Sequence, residues 1–529
     1  MKTYLKYFAA GLIATSALVS SQAIAGAVLR LDVSPVGEID PAKASDYADS
    51  MLMYNLYDAL VIPKQGQPGY DPFLAESWTV DGAEYTFKLR KDVKFLSGNT
   101  MSAEDVVFSF DRMMALGQGM SHLYTLVDKV EAVDASTVKF SLKEPYSPFV
   151  AALTRLPIVD KADVMAHLEE GDGEMKDWGQ AYLSGHTAGT GAYKIVSHNP
   201  QEETVMEKNA DYFLGIPEVA PDTVRMRYGL EAATVRTLMA QGEHEISSQW
   251  LPPEVLKSLA QSGMQLLTEK ATSEFYIKLN TAKAPFDDVE CRRAVSYAFD
   301  YDTAVKMVSI TDDVAQGSPS TGALPVGMMG SLPASEEIHQ DLAKAKEHLA
   351  LCKYDLKNMD IELSWIGEVP LEERFALLMQ ANFSQLGIKA TVKKVPWALF
   401  VDRVSKPENT PNISQVFVNT TTGDPDSLIY AMYDSKHSGT WMAPEYLKDE
   451  KVDALLAKGR AVSDEAERIA VYEELNNYLK DIAPTIYGMD QIAVFAATNK
   501  VSVPALSDPS KAFALAGFGF NFRLMEMKD

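Results

Sequence analysis

Apolar and polar residues alternate with period two at several points in the first half of the chain. Glu84-Tyr85-Thr86-Phe87-Lys88-Leu89-Arg90 and Thr137-Val138-Lys139-Phe140-Ser141-Leu142-Lys143 read as half-buried strands. Residues 223–228 repeat the pattern. Between the first two, Ser102 is placed to cap a helix with Asp105 three residues on, and Val106, Val107, Phe110 and Met113 form its apolar face. A second helix is expected over 231–241, stopped by Gly242. The second half alternates strand and helix: strand 360–366, helix 371–386 ending at Gly387, strand 388–395, strand 414–419. That order predicts βαβ units and a largely parallel sheet, with ligands bound beyond the carboxyl ends of its strands. Asp464 and Glu467 open a long last helix that runs to about 482, before Pro484. The tail beyond 486 carries Val494, Phe495, Phe513, Phe518, Phe520 and Phe522, so it is expected to pack back onto the fold.

Length, charge and the N-terminus narrow the class. The chain has 529 residues, too many for one undivided core, which stops growing at roughly 250–300 residues. Apolar residues make up 47% and charged residues 23%, ordinary globular usage. With 49 basic and 73 acidic side chains the formal charge is −24, a field that repels DNA and RNA. Lys2 and Lys6, an apolar stretch from Phe8 to Val19 and Ala23-Ile24-Ala25 before Gly26 have the layout of a cleavable secretory leader over residues 1–25. The apolar run is too short to span ~30 Å of hydrocarbon, and no cysteine stands at the cleavage point to accept a lipid. Cleavage there takes the charge to −26. The expected location is the periplasm, without a lipid anchor. Cys291 and Cys352 are the only cysteines. Both fall in stretches that read as amphipathic helix, so two buried thiols are expected rather than a bridge, although export permits one.

Chemistry is hard to find. None of the eight histidines forms H-x-H, H-x-x-x-H or H-E-x-x-H. There is no G-x-S-x-G elbow and no G-x-x-x-x-G-K-[ST] phosphate loop. Gly189-Thr190-Gly191 lacks the third glycine of a dinucleotide fingerprint and reads as a turn into the strand at 192–196. Gly423-Asp424-Pro425-Asp426 lacks the spacing of a calcium loop and also reads as a turn. No enzyme, metal site or cofactor is expected. Of the six tryptophans, Trp250, Trp397 and Trp441 stand where loops follow predicted strands or polar turns, and could stack on sugar rings, peptide side chains or planar groups.

An ordered set of stretches carries a family likeness. It comprises Trp78-Thr79-Val80; Tyr85 to Phe95; Ser102-Ala103-Glu104-Asp105-Val106-Val107-Phe108-Ser109; Gly189-Thr190-Gly191-Ala192-Tyr193; Asn209-Ala210-Asp211-Tyr212-Phe213; and Asn280 with Pro285-Phe286-Asp287-Asp288 and Arg292-Arg293-Ala294. Together they resemble the extracellular solute-binding proteins of family 5, receptors of ABC importers for peptides, nickel complexes, opines and some oligosaccharides.

The resemblance implies a two-lobed α/β fold with a ligand cleft between a large discontinuous first lobe and an inserted second lobe. The first lobe would span 26–279 and the second 280–486, with 487–529 returning to the first. The crossovers would fall near 275–281 and 485–491. A small-molecule or short-peptide ligand would favour the closed state, which the importer's permease subunits recognise. The receptor would act as a monomer. The expected contacts are Tyr47 and Trp250 from the first lobe, and Trp397, Asn419, Thr421, Asp424 and Trp441 from the second. Peptide receptors of this family place an aspartate four residues before the proline of the loop matching Gly423-Asp424-Pro425. Thr421 stands there, and a hydroxyl cannot replace the carboxylate's charge-assisted bond to an ammonium. A sugar, an opine-like conjugate or a modified peptide is the alternative ligand. An exported hydrolase and a chaperone or signalling receptor on the same scaffold are the alternative functions.

Overall fold

Three sheets set the position of the cleft. The computed structural model describes residues 26–171, 173–270, 273–367 and 369–528, so the leader expected over 1–25 lies outside the described residues. One sheet has the order Val28–Val33, Thr223–Tyr228, Glu203–Lys208, Tyr193–Asn199. A second is the antiparallel set Ala75–Asp81, Glu84–Leu89, Thr137–Leu142, Val127–Asp134. The alternation that predicted its central strands is used in packing. Tyr85, Phe87, Leu89, Val138, Phe140 and Leu142 are buried, together with Val106, Phe110 and Met113 of the helix Ala103–Leu116. Each fully buried side chain of this kind contributes roughly 1.5–3 kcal/mol. The Ser102 amide donates to Asp105 at 2.8 Å, and Gly117, at φ 60°, ends that helix.

Gly189 and Gly191 serve close packing. A Cβ on Gly189 would lie 2.3 Å from the carbonyl oxygen of Leu56, and one on Gly191 2.3 Å from the Leu56 carbonyl carbon. Thr190 between them donates to Asp58 at 2.7 Å. The turn therefore seats the strand Tyr193–Asn199 against the end of the helix Tyr47–Leu56. Ile246, ahead of the loop that carries Trp250, makes single bridges to Leu31 and Ala497.

The third sheet has six strands in the order Gly317–Ser318, Thr485–Gln491, Ser273–Leu279, Ile413–Asn419, Asp360–Ile366, Lys389–Val395. Only the last three run parallel. The largely parallel sheet expected from the βαβ pattern is thus a mixed one. The reason is connectivity: Ser273–Leu279 brings the chain in and Thr485–Gln491 takes it out, so the two pair antiparallel. Both strands already belong to this sheet. The chain crosses before Ser273 and recrosses after Gln491, where Gln265–Glu269 pairs with Ala493–Ala497 on the other side. Helices Pro370–Gln385 and Glu465–Ile482 cover the sheet close to their expected spans, and the Asp464 carboxylate accepts from the Glu467 amide at 2.9 Å.

The cysteine expectation is corrected. Cys291, on the helix Val289–Ala298, and Cys352, just past the helix Leu342–Leu351, are disulfide-bonded with their Cα atoms 4.8 Å apart. Both contexts are helical as read, but the two helices pack on each other, which spacing along the chain does not reveal. The aromatic tail packs back as expected: Phe520 meets Phe495 at 4.8 Å between ring centroids, Phe522 meets Tyr193 at 5.8 Å, and Asn55 bonds the backbone of both Phe520 and Phe522. No helix among the described residues is long and apolar enough to cross a membrane.

Candidate ligand cleft between the lobes

Topology brings the candidate loops of the second lobe to one edge. The strands Asp360–Ile366, Lys389–Val395 and Ile413–Asn419 run parallel, so their carboxyl ends lie together, and Ser273, the first residue of the entering strand, stands opposite Asn419. The first lobe meets this edge. A cavity of about 20 Å³ is lined by Tyr47, Trp250 and Ala516 of the first lobe, Asn419 of the second, and Ser273 and Gln491 of the crossing strands. A larger cavity, about 490 Å³, is lined by Glu269, Lys270, Leu506 and Asp508 on one side and Val326 and Met328 on the other.

Three expected contacts, Tyr47, Trp250 and Asn419, therefore share one cavity wall. Trp250 is 61% exposed, held at the start of the segment leading to the helix Pro253–Gln261. Trp397 and Trp441 form a separate pair in the second lobe, edge to face at 5.3 Å, and neither lines the cavity that Trp250 does. Trp397 is 39% exposed and follows the strand end at Val395, while Trp441 is half-buried against the lobe's core.

The loop after Asn419 is used differently from the expectation. Thr421 meets the first lobe through its backbone: its carbonyl accepts from Arg155 Nε at 2.7 Å. Asp424 is buried against Arg468 in a two-pronged ion pair, with Nη1 to Oδ2 at 2.5 Å and Nη2 to Oδ1 at 2.7 Å. Its carboxylate is committed inside the second lobe. Asp426 lies 3.3 Å from Arg460 and accepts from the first-lobe hydroxyl of Tyr146 at 3.1 Å. Burial raises its pKa to about 6 against the pull of Arg460. Ser147 adds two more bonds across the lobes, its amide to the Arg460 carbonyl at 2.7 Å and its hydroxyl to the Val462 carbonyl.

Glu269, Glu274 and Asp490, which the sequence reading did not single out, cluster at the crossing. Glu269 accepts from the Tyr47 hydroxyl at 2.8 Å and from the Gly517 amide at 3.0 Å, and burial raises its pKa to about 7. Glu274 and Asp490 face each other on the paired crossing strands, both buried. Burial moves Asp490 up to about 7, and burial with the neighbouring Asp490 pushes Glu274 well above the usual range. Glu274 Oε2 and Asp490 Oδ1 have no hydrogen-bond partner. The available signal was positional: Glu269 ends its strand, and Glu274 and Asp490 each stand one residue in from the crossover end of theirs. Among the described residues the one group of three metal-ligand types is Asp288, Cys291 and Cys352, whose sulfurs are bonded to each other and offer no thiolate.

Residues 69–440, more than half of the chain, match the model of the bacterial extracellular solute-binding proteins, family 5. The chain belongs to that family. Its members are binding proteins rather than enzymes. It is 26% identical over 503 residues to heme-binding protein A of Haemophilus influenzae, covering 88% of this chain and 85% of that one. It is 26% identical over 460 residues to a dipeptide-binding protein of Escherichia coli K12, covering 82% and 83%. The structure of HbpA2 from Haemophilus parasuis superposes with a TM-score of 0.79 at 24% identity, over 95% of this chain and all of that one, which establishes the two-lobed fold. Within this family, a cleft between lobes is the place where a solute is held, and this chain is a solute-binding protein of the ABC-importer type.

Proposed function

We propose that this receptor, exported by its leader and free of a lipid anchor, captures a short peptide-like or other small polar organic solute between its lobes. It delivers the solute to the importer's permease, as a monomer, without cofactor and without catalysis. In this reading the lobes join at the ends of the strands Ser273–Leu279 and Thr485–Gln491, a few residues outside the expected 280–486. The observation that carries the reading is the cavity wall shared by Tyr47, Trp250 and Asn419, built by both lobes around the two crossing strands. A solute bridging such a wall gains contacts only in the closed state, which is how binding drives closure. Trp250 supplies flat apolar surface at this wall, and in this reading the separate pair Trp397 and Trp441 would reach the solute only on closure. The Escherichia coli relative binds dipeptides by name, and this cleft differs from the family's peptide pattern at Thr421, whose side chain carries no charge.

Titration calorimetry and small-angle scattering across peptide, opine and oligosaccharide sets test the reading. One solute binding at one per chain with a smaller radius of gyration is expected, weakened about tenfold or more by Trp250→Ala. Turnover of a bound solute, or absence of compaction with every tight binder, overturns it.

A further inference from the structure

The cleft's acids fall into two groups. Asp424 and Asp426, on the loop where peptide receptors carry their amine-binding acid, are each matched by an arginine of their own lobe, Arg468 and Arg460. Glu269, on the first lobe, is in no ion pair among the described residues. It is 4% exposed and lines the 490 Å³ cavity between the lobes. Its neighbours are neutral donors: the Tyr47 hydroxyl, the Gly517 amide and the Gly519 amide. A carboxylate can accept about four hydrogen bonds, so acceptor capacity remains toward the cavity. The cavity's other charged lining groups are Lys270, which is exposed, and Asp508, which is half-buried.

A buried carboxylate without a cation is an unfavourable arrangement that a matching charge relieves. One hydrogen bond relates the linings of the two cavities. Tyr47 lines the smaller one and Glu269 the larger, and a 2.8 Å bond links them. Glu269 thus stands one hydrogen bond beyond the wall that holds Tyr47, Trp250 and Asn419.

We propose that the solute carries a cationic group, an ammonium or amidinium, and that Glu269 is the residue that seats it. The inference rests on the capture of a solute in this cleft. The amine site then lies on the first lobe, opposite the loop that holds Thr421. The solute's ammonium donates to Glu269 while Tyr47 and Gly517 hold the carboxylate in place, a charge-assisted bond in a site removed from bulk water.

The test uses titration calorimetry with dialanine and trialanine, their N-acetylated forms, putrescine and maltotriose, on the wild type and on Glu269→Gln. The expected result is that an amine-bearing probe binds the wild type, that its acetylated partner binds at least tenfold more weakly, and that Glu269→Gln lowers the amine's affinity about 10- to 100-fold. Maltotriose or an acetylated peptide binding as tightly as the amines, or a folded Glu269→Gln variant with undiminished amine affinity, overturns the inference and leaves solute capture standing. Failure of every probe to bind counts against both. If Glu269→Gln does not fold, the comparison of amine and acetylated probes on the wild type decides alone.

Discussion

Replacing Asp424 with asparagine separates two roles for that residue. As a ligand contact, the substitution would weaken binding and leave stability alone. The structure places it otherwise. Asp424 is 2% and Arg468 5% exposed, and the guanidinium is fully engaged: two bonds to Asp424, one from Nε to the Gly459 carbonyl at 2.7 Å, and one to the Tyr472 hydroxyl at 3.2 Å. Asp424 Oδ1 also accepts from the Asp426 amide at 2.9 Å. Asparagine keeps one acceptor, turns an NH₂ group toward the guanidinium and leaves a buried cation without its counter-charge. Removing one partner of a buried pair costs about 3–5 kcal/mol. At ~2–4 °C per kcal/mol for a unit of this size, the melting transition of the second lobe should fall by roughly 6–20 °C. Scanning calorimetry with Asp424→Asn measures this. Combining Asp424→Leu with Arg468→Met should recover most of the loss, because an apolar pair carries no desolvation penalty. A folded Asp424→Asn protein with unchanged melting temperature and lost solute binding would refute the reasoning and return Asp424 to the cleft.

Reduction of the Cys291–Cys352 bond, or Cys352→Ser, should cost about 2–4 kcal/mol by freeing a loop with a sequence separation of 61, read as a lower denaturant midpoint; an unchanged midpoint refutes a stabilising role. Arg155→Met removes the bonds to the Thr421 carbonyl and to Ser50 Oγ at 2.6 Å, so scattering of the unliganded protein should show a more open form, and identical curves refute the latch. Asp490 titrates at about 7 folded against 3.8 in the unfolded chain, so the folded state holds the extra proton between those values. Its contribution to stability is therefore greatest below about pH 4 and is lost as pH rises to about 7. Asp490→Asn should flatten this slope and raise the melting temperature at pH 8 by supplying a donor to the unpartnered Glu274 Oε2; a lower melting temperature there refutes it.

Local rules made the elements legible. Residues 360–366 form a strand over the span read from their pattern, because Ile361, Leu363 and Trp365 alternate with Asp360, Glu362 and Ser364 and are buried together on one face. Asp464 and Glu467 mark a helix start because their bonds close within four residues. The sheet's mixed direction was not legible: the pairing of Ser273–Leu279 with Thr485–Gln491 joins residues more than 200 positions apart, and alternation says nothing of strand sense. The site was legible in the same proportion. Tyr47 begins a helix, Asn419 ends a strand, and Trp250 stands in the loop before the helix Pro253–Gln261, positions the element pattern exposes. Asp424 looked available because the loop around it is rich in turn residues, while Arg468, which takes it, lies 44 positions away in a helix whose sequence gives no sign of a buried charge.

The overall charge says little about the ligand, and pairing explains why. A surface acid is screened by water and salt, and a buried acid bonded to arginine presents no net field to a solute. Asp424 and Asp426 both fall in the second class. What a solute senses is the remainder: Glu269 on the cavity wall, raised in pKa by burial. Glu269 ends the strand that pairs with Ala493–Ala497, beside the crossing, so a cation arriving there is held next to the joint. Its charge favours the ionised form of Glu269, and the free energy gained is available only while the cavity is closed to water. Selectivity for charge and closure of the lobes thus draw on the same carboxylate, and a neutral analogue of equal shape should bind more weakly and close the lobes less completely.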